Sequence, residues 1–101
     1  MPLFVVIGRD REGSAETRAA VRDAHLANAR PLVEQGRVRF AGPLRDAAGG
    51  PCGSLLVLEF PSLETARTFA ESDPYWTEGV FASLDVFETI QVFPAAADGP
   101  A

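Results

Sequence analysis

The chain holds one histidine, one tyrosine and one tryptophan among its 101 residues, and the two aromatics directly follow an acid and a proline in "SDPYW", 72–76. Asp73 and His25 are the pair whose chemistry is most specific. A carboxylate beside an imidazole fixes its tautomer and stabilises its protonated form. The imidazole can then take or give a proton near neutral pH. Arg18 and Arg22 precede His25 by seven and three positions, so on a helix all three fall on one side. They supply cations that could anchor an anion. Ser54 follows Gly53 at the start of an apolar run and could donate to a ligand, as could the ring of Tyr75 line a pocket.

Each of these residues also has a conservative reading. Asp is a preferred N-cap and Pro suits the first position of a helix, so Asp73–Pro74 can simply start a short helix over "PYWTEG". A carboxylate has acceptor sites on both oxygens, so capping leaves room for a bond from His25. His25 can be a core histidine, with Arg18 and Arg22 reaching solvent. Ser54 can be a strand-edge residue with its hydroxyl in water, and it lacks the elbow motif of a nucleophile. Tyr75 and Trp76 can form an apolar lid.

The elements that must position these groups read as follows. "LFVVIG", 3–8, is a buried strand. Residues 15–35 form a helix that Ser14 can cap and Gly36 can stop, with Pro31 expected to kink its last turns. Its inward stripe is Val21, His25, Ala29, Leu32 and Val33. "RVRFAGPL", 37–44, and "SLLVLEF", 54–60, are strands joined by a glycine-rich connection. A second helix covers 63–72, with Leu63, Ala66, Phe69 and Ala70 on one face. A closing strand spans 83–93. The order β-α-β-β-α-β predicts a ferredoxin-like α+β domain over residues 1–93: a four-stranded antiparallel sheet with two helices on one face. The small-residue tail, 94–101, is expected to be flexible.

Two helices cover one face of such a sheet, yet the strands are apolar on both. Leu3, Val5 and Ile7 point one way and Phe4 and Val6 the other. Leu84, Val86, Ile90 and Val92 likewise oppose Phe87 and Phe93. An open apolar face predicts a homodimer, sheet against sheet.

Composition narrows the function classes. Apolar residues make up 47% of the chain, as in a folded domain, and the net charge of −5 argues against nucleic acid. All nine basic residues are Arg, which removes lysine Schiff-base chemistry. A single Cys, Cys52, and a single His cannot build a zinc cluster, so no metal is expected. "MPLFVVIGRD" reads as a strand rather than a leader, and no apolar run reaches membrane-spanning length, so the expected location is the cytoplasm.

Several stretches together resemble the YCII-related family: Arg18, Arg22, His25 and Leu26 in R-x-x-x-R-x-x-H-L, "AGP" at 41–43, Gly53–Ser54, and "FPSLETARTFAESDPY" at 60–75. The resemblance implies a dimeric α+β barrel with a site built on His25 and Asp73, and Ser54 and Arg22 nearby. One branch of that family is associated with dehydrochlorination of chlorinated hydroxyquinols. The expectation is therefore a cofactor-independent lyase or proton-transfer enzyme acting on a small anionic or phenolic molecule. His25 and Asp73 would be catalytic, and Arg18, Arg22, Ser54 and Tyr75 would bind substrate. The alternative is an accessory, non-catalytic binding domain in which His25 and Asp73 tie two helices together. Dimeric α+β barrels also host haem, with His25 then an axial ligand.

Overall fold

β1 (Leu3–Asp10) alternates because one of its faces is sealed by helices and the other is not: Phe4 and Val6 are buried, while Leu3, Val5 and Ile7 are half-buried. The computed structural model describes residues 1–95. After β1 come α1 (Ala15–Glu34), β2 (Val38–Arg45), β3 (Pro51–Glu59), α2 (Leu63–Glu71), α3 (Pro74–Thr77) and β4 (Phe81–Thr89). The sheet order is β2-β3-β1-β4 with every neighbouring pair antiparallel. This is the expected ferredoxin-like arrangement. Of the expected tail, residues 96–101 lie outside the described ones.

The core sits between the sheet and the helices. Phe4, Val6, Leu56, Leu58 and Val86 from the strands meet Leu32 of α1 and Ala66 and Ala70 of α2. The two alanines let α2 approach the sheet closely, and its start is held by a capping box in which Ser62 and Thr65 bond each other's backbone. α1 is attached less tightly, since Leu32 is its one buried residue. Its last turn closes through Gly36 N–H to Val33 O at 3.0 Å and Arg37 N–H to Leu32 O at 2.9 Å, with Gly36 at φ +70.

α1 continues through Pro31 to Glu34. Several other local expectations are corrected. Val33 is 57% exposed rather than inward: eight positions after His25, it has turned about 80° away on the helix, while Leu32 has turned only about 20°. Ser14 holds the N-cap position with ψ near 4°, too far from extended for its hydroxyl to cap, and makes no side-chain cap bond. β3 starts earlier, at Pro51, because Asp46 Oδ1 accepts from Ala48 N–H and Gly50 N–H and tightens the hairpin. β4 ends at Thr89, the partner of Leu3: its only neighbour is β1, and pairing stops where β1 begins. Ile90 therefore lies past the strand and is 70% exposed.

On the uncovered face, Val5 is in register with Val57 and Phe87, and Ile7 with Leu55. Phe87 is 57% exposed, and Phe40, opposite Val57, is 52% exposed. No helix of the described residues is long and apolar enough to cross a membrane.

Candidate functional site

Asp73 ends the turn after α2 in an extended conformation (φ −65, ψ 132), as its Pro74 requires, and its Oδ1 accepts from Tyr75 N–H at 2.8 Å. The cap and the histidine contact coexist. His25, on α1, brings Nδ1 to 2.8 and 2.9 Å from the two Asp73 oxygens. A carboxylate oxygen accepts, so Nδ1–H donates, and in the neutral imidazole the lone pair is then on Nε2. The capping bond also turns Tyr75 under the imidazole: the two rings stack with centroids 3.8 Å apart and planes 8° apart. Phe81 braces Tyr75 edge-on at 5.6 Å. His25 is thus fixed both in its plane and along its face.

Arg18 is held from three sides. Its Nε and Nη2 donate to the two oxygens of Asp10 at 2.9 and 3.0 Å, and Nη2 also donates to Gly53 O and Ser54 Oγ. Its guanidinium carbon lies 4.5 Å from the Tyr75 ring centre. Burial pulls the Arg18 pKa down, but the hydrogen bond and charge of Asp10 outweigh it, and the group stays above its ordinary value. Burial raises the Tyr75 phenol above its ordinary value, with Arg18 and Arg22 drawing it part of the way back.

A cavity of about 470 Å³ opens between α1 and the β2–β3 half of the sheet. His25, Tyr75, Arg18, Arg22 and Ser54 line it, together with Leu26, Ala41, Pro43 and Leu56. All the expected site residues except Asp73 border this space, and Asp73 stands behind His25, its side chain 6% exposed. Three expectations change. Ser54 is not a solvent-facing edge residue: it is 3% exposed and accepts from Arg18. Arg18 has most of its fork committed to protein partners. Trp76 does not join Tyr75 in a lid at the cavity; it borders a separate groove with Arg67 and Phe87.

Two residues of the site are not singled out by the sequence. Asp10 ends β1 and neutralises Arg18; nothing in "GRDRE" separates it from a turn residue. Arg45 ends β2 and borders the cavity; its alternation with Pro43 on the strand was the available signal.

The model of the YCII-related domain matches residues 2–90. The chain belongs to the YCII-related family. It is 38% identical over 97 residues to protein YciI of Escherichia coli O6:H1, covering 90% of this chain and 99% of that protein. An uncharacterized protein of Haemophilus influenzae is 32% identical over 96 residues. Among solved structures, it is similar to 5-chloro-2-hydroxyhydroquinone dehydrochlorinase from Burkholderia phenoliruptrix AC1100, in complex with 2,5-dihydroxybenzoquinone. The TM-score is 0.76 at 33% identity, over 84% of this chain and 90% of that one. Protein Atu4242 of Agrobacterium tumefaciens, with a TM-score of 0.54 at 15% identity, shares the fold alone. The YCII-related fold thus carries, in at least one similar protein, a named activity on a small ring compound.

Proposed function

We propose that this YCII-related protein is a proton-transfer enzyme of the lyase type, acting on a small ring compound by side-chain acid–base chemistry. The observation that carries the reading is the His25 imidazole on the cavity wall, with Nδ1–H committed to Asp73 and one ring face covered by Tyr75. This arrangement favours Nε2 as the base. Nε2 takes a proton from an acidic C–H or O–H of the substrate. From a C–H, the electron pair left behind forms a C=C bond as the leaving group departs from the adjacent sp3 carbon with its own pair. From a ring O–H of a keto tautomer, it forms C=O, the ring double bond shifts, and the leaving group departs with its pair from the sp3 ring carbon beyond that bond. Asp73 stabilises the imidazolium that results. Arg22, one helical turn from His25, balances negative charge that develops on the ring oxygen. Ser54 and Tyr75 shape the wall, and Arg18 holds both of them. The similarity to a dehydrochlorinase supports the reaction type.

Two measurements test this. Chloride release from 5-chloro-2-hydroxyhydroquinone should fall by about 10²–10⁴-fold in His25→Asn; a variant as fast as the parent sinks the role of His25. Separately, ¹⁵N shifts of the His25 ring should show the Nδ1–H tautomer in the parent. In Asp73→Asn, whose amide can donate as well as accept, they should show a mixture. An identical pattern in both proteins removes Asp73 as the orienting group.

The same reading includes a homodimer through the open sheet face, supported by Val5, Ile7, Val57 and Phe87 lying side by side there.

A further inference from the structure

We infer that the cavity takes a planar carboxylic acid, its ionised carboxylate against Arg45 at the end of the cleft remote from His25. The orientation rests on the proton-transfer reading above, since it is His25 that marks the reacting end.

The order of groups along the cleft follows from the register. Arg18 bonds Ser54, and Ser54 pairs with Pro43 on β2. Arg45 pairs with Pro51, beyond that level and toward the start of α1. His25 lies the other way, toward Leu26, Ala41 and Leu56. Going along the cleft, the polar groups are therefore Arg45, then Arg18 with Ser54, then Arg22, then His25. At backbone level, two strand residues and two helical turns put about 17 Å between the ends. One extended Arg side chain and one substituted ring bridge that together.

The charges divide along the same line. No acidic side chain borders the cavity among the described residues, although the whole chain is acidic at −5. Arg18 is spent on Asp10. Away from the cavity, Arg9 and Arg39 pair with acids, Arg11 and Arg37 donate to carbonyl oxygens, and Arg30 and Arg67 make no ion pair or side-chain hydrogen bond among the described residues. Arg22 and Arg45 have no ion pair or side-chain hydrogen bond among the described residues, and both face the cavity. Arg22 adjoins His25 and suits charge that appears during reaction. Arg45 is too distant for that and suits charge the ligand already carries. The first residue of α1, Ala15, borders the same end, so the positive end of the helix dipole reinforces Arg45.

The walls specify the rest of the ligand. Leu26, Ala41, Pro43 and Leu56 offer apolar surface without donors, which a flat ring fills. Ser54 receives Arg18 on its oxygen and keeps its own hydrogen, positioned to donate to a ring oxygen. A single guanidinium fork matches the two coplanar oxygens of a carboxylate.

Isothermal titration calorimetry of the full chain with 2,5-dihydroxybenzoate and with hydroquinone tests the assignment. The parent should bind the carboxylate at least about tenfold tighter, a gap that narrows at high salt. Arg45→Gln should remove that preference without weakening hydroquinone, and Arg45→Lys should restore part of it. Equal affinities in the parent, a preference that survives in Arg45→Gln, or saturation by neither compound at about 10 mM overturns the inference. The ¹⁵N tautomer measurement reports on His25 and Asp73 alone. An intact tautomer lock with no carboxylate preference therefore discards Arg45 and spares the acid–base reading, and the reverse pair of results does the opposite.

Discussion

Asp73 serves two elements at once, and its substitutions should separate the two services. Asp73→Asn keeps an oxygen that can cap Tyr75 N–H, so it should cost little stability while disturbing His25. Asp73→Ala removes the cap, about 1 kcal/mol, and leaves the His25 N–H without an acceptor, about 1–3 kcal/mol more. Urea unfolding of the two variants should differ by roughly that sum. Tyr75 gives a pH-dependent counterpart. Burial holds its phenol above the ordinary value of 10.0 in the folded chain. That contribution to stability is complete below the ordinary value and is lost as pH rises through the higher folded value. Melting temperature should therefore drop on the alkaline side of about pH 10, and Tyr75→Phe should lessen the drop. A parent and variant with parallel alkaline profiles would show that Tyr75 does not titrate from a buried position.

Between elements, the site depends on how closely β1 lies against the ring of Phe81. A Cβ on Gly8 would run into that ring, and Phe81 in turn braces Tyr75. Gly8→Ala should cost about 1–3 kcal/mol by overpacking and should also shift Tyr75 and the imidazole stacked on it. Chemical unfolding measures the first effect, and a change in the His25 and Tyr75 ring resonances measures the second. An unchanged aromatic spectrum with lowered stability would mean that Phe81 moves without transmitting to the site. The other decisive feature at this scale is the loose seating of α1. With Leu32 as its one buried residue, its N-terminal half stands away from β2, and that separation is the cavity.

For the molecule as a whole, the sheet has one face in the core and one face bare. Phe40 and Phe87, each more than half exposed, flank the stripe of Val5, Ile7, Leu55 and Val57. The proposed homodimer would cover exposed apolar area of this kind. Phe87→Arg should convert a dimer into a monomer in analytical ultracentrifugation, because the charge would be buried without a partner. If the parent sediments as a monomer at micromolar concentration, the sheet face is not its interface.

Much of this was legible in the residues themselves. The alternation of β1, the Gly36 stop and the Asp73–Pro74 break all rest on local stereochemistry, which neighbours in sequence set. So did the topology, because β-α-β-β-α-β with short connections leaves few ways to fold. The pairing of His25 with Asp73 was anticipated from their chemistry and from the family resemblance, but only the tertiary structure decided that this and the other contacts between distant segments form, and with what geometry. The closing of His25 on Asp73, the burial of Ser54 under Arg18 and the pairing of Asp10 with Arg18 join positions that no local preference links. The length of β4 was likewise fixed by the extent of β1. Such contacts are chosen by which side chains can satisfy one another's hydrogen bonds once the apolar faces have come together, and that is settled in three dimensions.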